Sequence, residues 1–320
     1  MPWKVLVSAP YMQPVIDDFR QLLEAADPEI EVMVPTVKER LSEDELLGII
    51  SNVDGVICGD DEFTERVLES ALKLKVISKW GTGIDSINQE TAARLGIAVC
   101  NTPDAFTQAV ADTVLGYMLC FARQLPWMDR DIRADNWSKR PGFTLGESTL
   151  GVIGVGNIGR AIIRRAKAFN MTLTATDIKP VPDSFLRETG VKILSKQELI
   201  ESADFITLNC DLNPGNHHMI GKPELMSMKS TAYLINAARG PLIDEPALVQ
   251  ALKSEEIAGA ALDVFESEPI PLINELLKLD NCLLAPHNAN SSPEAYQRVH
   301  ENTINNLLTH LKAATESSQS

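Results

Sequence analysis

The chain has 320 residues, an apolar content of 44% and a formal net charge of −15. Single domains usually run to about 100–200 residues, so two domains are expected. So acidic a chain repels phosphate backbones and anionic lipid, which excludes nucleic acid and membrane surfaces as partners, and no window approaches the roughly 18 consecutive apolar residues of a membrane span. The stretch MPWKVLVSAP lacks the basic, apolar and small-residue succession of a signal peptide, and the five cysteines (Cys58, Cys100, Cys120, Cys210, Cys282) are scattered without CxxC spacing. Reduced core thiols in a soluble, cytoplasmic protein are the expectation.

Strand-like and helix-like segments alternate from the start. WKVLVSA reads as a strand, VIDDFRQLLEAA as a helix with Val15, Ile16, Phe19, Leu22 and Leu23 on one face, and IEVMVP as a second strand. In SEDELLGII, Ser42 precedes Glu45 by the capping-box spacing of a helix start. The strands VDGVIC, LKVISKW and GIAVCN follow, separated by helical TERVLESAL and NQETAARLG. A βαβ run of this kind over about 100 residues predicts a parallel, doubly wound sheet. Next comes TQAVADTVLGYMLCFARQL, a helix too long and apolar for a linker, which belongs at a domain or subunit junction. A polar loop with Trp137, Lys139 and Arg140 leads to a second alternating series, from STLGVIGVG to NCLLAPH. The helical EAYQRVHENTINNLLTHLKAA comes after that sheet is complete and is expected to pack back on the first domain, while polar TESSQS is expected to be disordered.

The motif with the most context is LGVIGVGNIGRAII, in which Gly154, Gly156 and Gly159 form GxGxxG. Glycines punctuate many loops, but this set follows a strand, opens a helix and is followed by a strand, TLTATD, ending in Asp177. There the backbone can approach a pyrophosphate at a helix N-terminus while the acid binds a ribose 2′-hydroxyl. The Asp177 carboxylate would repel a 2′-phosphate and so favours NAD over NADP, a preference that nearby Lys179 softens.

Ligands of open α/β sheets sit outside the carboxyl ends of the strands. INAARG delivers Arg239 there, DVFESEP delivers Asp263 and Glu268, and LLAPHN delivers His287. Singly, each is most often a capped strand end or a surface ion pair. Together beside a nicotinamide they make chemical sense: oxidising a hydroxyl by hydride transfer needs a base for its proton, a glutamate can orient the imidazole, and an arginine can clamp a carboxylate. In KWGTGIDSIN, Gly81 and Gly83 flank Thr82 in a tight, amide-rich loop suited to an anion, or to a plain turn. His217 and His218 read as solvated rather than metal-binding, and Trp127 and Trp137 as packing or a dimer contact.

Taken in order, GVGNIG with Asp177, INAARG, DVFESEP and PHNA resemble the D-isomer-specific 2-hydroxyacid dehydrogenases, especially their phosphoglycerate dehydrogenase-like branch, over about residues 50 to 300. The resemblance implies two doubly wound parallel-sheet domains: a flavodoxin-like substrate domain (1–100 and 289–320) and a Rossmann NAD-binding domain (101–288). It implies hydride transfer between NAD and C2 of a small 2-hydroxy or 2-keto acid, in a homodimer. By it, Arg239 binds the substrate carboxylate and carbonyl, Glu268 is the acidic partner and His287 the acid/base. It also sets Asn157 and Ile158 on the pyrophosphate, Cys210, Ala237 and Ala238 along the cofactor, Asp263 on the nicotinamide amide, and Thr82 and Gly83 on the substrate carboxylate. An NAD(H)-sensing regulatory protein of the same fold is the alternative; formate oxidation is disfavoured by Glu268, where a glutamine would be expected.

The departures carry information too. Asn209 and Asp211 stand where the family commonly has His and Pro, PHNAN lacks the usual following glycines, and Asp104 replaces the glycine of the NTPG hinge. CGDDEFTE offers Asp60, Asp61 and Glu62 where phosphoglycerate-type members carry arginine. Three carboxylates would repel a substrate phosphate, so a neutral or cationic tail is expected unless Lys139 or Arg140 compensates.

Overall fold

Five short strands, β1 (Trp3–Val7), β2 (Ile30–Met33), β3 (Gly55–Cys58), β4 (Val76–Lys79) and β5 (Ala98–Cys100), pair in parallel in the order β2-β1-β3-β4-β5. This is the strand order of a flavodoxin-like doubly wound sheet. The computed structural model describes residues 2–26 and 29–319. They divide into two units, Met1–Phe106 with Ser292–Ser320, and Thr107–Ser291. Strands β3 and β4 are buried along their whole length, as expected of parallel strands covered on both faces.

The returning helix Pro293–Gln319 belongs to the first unit and packs on β3, β4 and β5. It buries Val299, Ile304, Leu307 and Leu311, and the Thr303 carbonyl accepts a 2.8 Å hydrogen bond from Ser78 Oγ. It also runs through Gln319, so the tail expected to be disordered is helical that far; Ser320 lies outside the described residues. Extending an existing helix adds a backbone bond per residue without a new nucleation cost.

The first predicted helix is also different. Gln13–Phe19 is a 3₁₀ turn that opens on Pro14, and only Arg20–Glu24 is α-helical. At three residues per turn the apolar positions fall out of phase, leaving Ile16 and Leu23 buried and Leu22 exposed. The capping box at Ser42 and Glu45 is present.

Asp61 is fully buried and its carboxylate binds three donors: Ser8 Oγ at 2.5 Å, the Leu41 amide at 2.6 Å and the Gly59 amide at 3.2 Å. Burial pushes its pKa up, against those hydrogen bonds. One of the three carboxylates assigned to an acidic rim is therefore an internal clamp between the ends of β1 and β3.

The second unit holds β6 (Thr149–Ile153), β7 (Thr172–Thr176), β8 (Lys192–Ile193), β9 (Phe205–Leu208), β10 (Tyr233–Asn236), β11 (Gly259–Leu262) and β12 (Cys282–Leu284). All pair in parallel, in the order β12-β11-β10-β9-β6-β7-β8. The order reverses between β6 and β9, the switch point at which a Rossmann sheet opens its ligand crevice.

The apolar segment expected as one junction helix is two. Thr107–Arg123 ends at Gln124, whose φ of 56° is left-handed, and Pro126 sits in the first turn of a second helix, Leu125–Arg133. The first of these packs inside the second unit against the helix Asn157–Ala168, where Arg165 bonds Asp112 and Gln108. Among the described residues no helix is long and apolar enough to cross a membrane.

A pH effect follows from His300. Trp80 Nε1 donates to His300 Nδ1 at 3.0 Å, and burial lowers the pKa of the imidazole from 6.5, with Asp18 opposing. Because the folded value lies below the unfolded one, the unfolded chain takes up more protons as pH falls. This part of the stability is complete above 6.5 and declines below it. Urea midpoints measured from about pH 7.5 to about pH 5.5 should fall, and His300→Gln should flatten that fall.

Candidate active site

The glycine loop leaves β6 with Gly154 at a φ of 94°, and Gly156 caps the helix Asn157–Ala168. A Cβ on Gly159 would lie 2.0 Å from the Gly154 carbonyl oxygen, so only glycine lets the helix start this close to the loop. Asp177, just past β7, reaches the same place. Its Oδ2 accepts from the Val155 amide at 2.6 Å and its Oδ1 from the Lys179 amide at 2.7 Å. Asn157 and Ile158 form the first turn, whose amides lack intrahelical acceptors and point toward the loop end of the helix. This cradle fits a dinucleotide: a bare backbone at Gly154 and Gly156, helix amides for a pyrophosphate, and a carboxylate for a ribose hydroxyl. Cys210 lies two residues past β9, its Sγ 3.8 Å from both Met219 Sδ and Asn216 Nδ2, and burial raises its pKa.

Ala237, Ala238 and Arg239 form the turn after β10. Asn236, buried and not singled out from the sequence, shapes that turn: its Nδ2 donates to the Arg239 carbonyl at 2.8 Å and its Oδ1 accepts from the Ala238 amide at 3.0 Å. The signal was an asparagine at a strand end, a residue that habitually bonds nearby backbone. Gly240 then lies flat on the next loop, since a Cβ there would fall 1.9 Å from the Phe265 carbonyl carbon.

That next loop follows β11 and carries Asp263 and Glu268. Glu268 Oε1 accepts from the Phe265 amide at 2.9 Å, and Oε2 lies 2.8 Å from His287 Nδ1. His287 itself has a φ of 49°, and its amide donates to the Asp263 carbonyl at 2.7 Å. The Asp263 side chain, 1% exposed, accepts the Asn288 amide at 2.9 Å on Oδ1 and the Ala289 amide at 2.8 Å on Oδ2. Burial raises its pKa against these two bonds. The residue expected on the nicotinamide amide thus pins the turn that carries His287.

In the first unit, Gly81 has a φ of 130° and opens the loop that contains Thr82 and Gly83. Its carbonyl accepts from the Thr102 amide at 2.8 Å, Thr82 Oγ1 donates to the Thr102 carbonyl at 3.0 Å, and Asn101 Nδ2 donates to the Thr82 carbonyl. Asn302 and Asn306 brace Thr102 and Asn101 in turn. None of these asparagines was singled out, because only the fold brings them to the loop. Asp104 keeps the glycine-like φ of 61° at the position where the resemblance has glycine. His218 Nε2 lies 2.7 Å from Glu266 Oε1, and among the described residues no group of three or more potential metal ligands is assembled.

The model of the D-isomer specific 2-hydroxyacid dehydrogenase NAD binding domain matches residues 115–289. The chain belongs to this family. A D-3-phosphoglycerate dehydrogenase of Methanocaldococcus jannaschii is 41% identical over 296 residues, 91% of this chain, although the chain spans only 54% of that protein. A glyoxylate reductase of Korarchaeum cryptofilum is 40% identical over 254 residues, 78% of this chain and 76% of that one. The solved structure of D-lactate dehydrogenase from Aquifex aeolicus, complexed with NAD and lactic acid, is 26% identical with a TM-score of 0.86, covering 98% of this chain and 96% of its own. As a D-2-hydroxyacid dehydrogenase the chain is an NAD-dependent oxidoreductase, and the glycine loop and Asp177 both lie within the matched NAD-binding part.

Asp263→Asn sets an amide donor against one of the two turn amides. It should lower kcat by roughly tenfold or more by loosening His287, with little change in NADH affinity read by fluorescence. An equal loss of NADH affinity would mean that Asp263 holds the nicotinamide instead.

Proposed function

We propose that the chain interconverts a small D-2-hydroxy acid and its 2-keto acid, with His287 as acid/base and Arg239 on the substrate carboxylate. The observation that carries the reading is the 2.8 Å contact of Glu268 Oε2 with His287 Nδ1, on neighbouring strand-end loops of an NAD-binding family member. Bound NAD supplies the hydride acceptor. The remaining work falls to the protein. Glu268 Oε2 accepts a hydrogen bond from Nδ1–H, which leaves Nε2 as the nitrogen that accepts the substrate hydroxyl proton during oxidation and returns it during reduction. The same carboxylate stabilises the imidazolium that forms.

The Arg239 guanidinium pairs with the substrate carboxylate and polarises the carbonyl oxygen at C2. In this reading the amides of Thr82 and Gly83 are the anion-holding groups of the first unit. Gly154, Gly156, Asn157, Ile158 and Gly159 receive the pyrophosphate, Asp177 the ribose, and Cys210, Ala237 and Ala238 line the cofactor. Relatives named as glyoxylate reductase and D-lactate dehydrogenase support a small 2-keto acid as the substrate class. A cytoplasmic homodimer is part of the same proposal.

His287→Ala should reduce kcat by roughly 10²–10⁴-fold, the range for lost general acid/base catalysis, and leave NADH binding intact. NADH absorbance with glyoxylate, hydroxypyruvate and phosphohydroxypyruvate, together with a fluorescence titration of NADH, checks both halves; retained turnover removes His287 from the mechanism. Asp177→Ala should erode the preference for NADH over NADPH in the same assay, and an unchanged preference would reassign the ribose carboxylate.

A further inference from the structure

The loop after β9 has no part in the proton transfer above, yet one of its side chains reaches the loop that carries Glu268. His218 has a left-handed φ of 53°, and its amide donates to the Pro241 carbonyl at 2.8 Å. Two residues on, the Ile220 carbonyl accepts from the Asp244 amide at 3.0 Å, so this loop is fastened to the segment that follows Arg239. From there His218 Nε2 lies 2.7 Å from Glu266 Oε1. Glu266 and Glu245 clasp each other. Glu266 Oε1 accepts from the Glu245 amide at 3.2 Å, and Glu245 Oε2 accepts from the Glu266 amide at 3.3 Å. Glu245 Oε1 takes a further bond from Asn274 Nδ2 at 2.6 Å. Among the described residues neither carboxylate is paired with a lysine or arginine, so His218, whose ring packs 3.9 Å from that of His217, is their basic partner.

We infer that His218 is a positioning residue for Glu268, acting through Glu266 and the Phe265–Glu266 peptide, an inference that rests on the dehydrogenase reading and deepens it. Three segments meet at that peptide. The Phe265 amide donates to Glu268 Oε1 at 2.9 Å, the Glu266 amide donates to Glu245, and Gly240 lies so close that a Cβ on it would fall 2.0 Å from the Phe265 carbonyl oxygen. A shift of Glu266 therefore turns the neighbouring amide that holds Glu268, whose other oxygen meets His287 Nδ1 at 2.8 Å. The clasp with Glu245 ties Glu266 to the segment after β10 alone. His218 adds a tie from the loop after β9, so the peptide is held from a second direction. Nε2 donates to Glu266 whether the ring is neutral in that tautomer or charged, and the bond is stronger when it is charged. The two side chains are 37% and 30% exposed, so water screens this bond less than one at the open surface. An asparagine would suit the left-handed backbone equally well, but its side chain stops short of Glu266.

His218→Asn keeps the turn and removes the tie. In NADH-dependent reduction of glyoxylate or hydroxypyruvate it should lower kcat by roughly threefold to tenfold, with little change in KM or in NADH affinity read by fluorescence. Reduction needs the His287 imidazolium, and a Glu268 that wanders stabilises it less, so the high-pH limb of kcat should move down by roughly half a pH unit. His218→Gln, which restores a donor within reach of Glu266, should recover most of both losses. In a Glu266→Ala background, itself slowed, His218→Asn should have no further effect, because both changes remove one contact. A merely structural role for His218 would lower the urea midpoint and leave the limb in place. An unmoved kcat and limb in folded His218→Asn, or in folded Glu266→Ala where the first variant does not fold by circular dichroism, overturns the inference and leaves the dehydrogenase intact. Additive losses in the double variant, or an equal loss of NADH affinity, overturn it as well. A wild type that turns over no 2-keto acid, or a His287→Ala variant that keeps turnover, overturns the reading on which it rests.

Discussion

The hydrogen bonds that Asp263 makes to the amides of Asn288 and Ala289 hold the turn that carries His287 in place. His287 sits at a φ of 49°, a conformation that costs a side-chain-bearing residue about 1–2 kcal/mol. A buried carboxylate is costly as well unless its oxygens are bonded. Each problem answers the other: the left-handed turn aims two consecutive amides at one carboxylate, and charge-assisted bonds to that carboxylate stabilise the turn. Glu268, held by the Phe265 amide of the same loop, then meets an imidazole whose position is already determined. The buried aspartate and the Glu268–His287 pair are thus one arrangement, and a histidine proposed to take and return a proton gains from a ring that does not wander.

Close backbone approach is the second constraint. Glycine at 159 lets a helix begin against the loop that precedes it, and glycine at 240 lets the Arg239 turn lie against the loop of Glu268. In both places two backbones touch where a methyl group would not fit. Parallel strands make this possible, because β10, β11 and β12 are neighbours and release their chains at the same edge. Residues far apart in sequence thus arrive together without long loops.

Charge behaves less simply than a count implies. The run Asp60, Asp61, Glu62 reads as a repulsive patch, yet one member is a buried clamp, one is paired with Lys79 and one is paired at the surface. A carboxylate bonded by several backbone amides belongs to the architecture, and what remains for a ligand is the balance of those left over. Net acidity of the whole chain bears on solubility; the local balance depends on which carboxylates the fold has already paired.

The sequence by itself determined the alternation of strands and helices, the glycine loop with its acid, and the cluster of Arg239, Glu268 and His287 at strand ends. These depend on periodicity and on spacing within a few residues, which short-range sterics and hydrogen bonding impose wherever the chain lies. Only the tertiary structure decided that Asn236 and Asp263 shape the turns of Arg239 and His287, that Asn302 and Asn306 brace the loop at Thr82, and that Asp61 is internal. It also decided that the long apolar segment breaks at Gln124 and that the last helix continues to Gln319. Most of these outcomes rest on partners many residues distant: whether a polar side chain is solvated, spent on a backbone amide or set against an opposite charge depends on what the fold brings within about 3 Å of it. No local pattern carries that information.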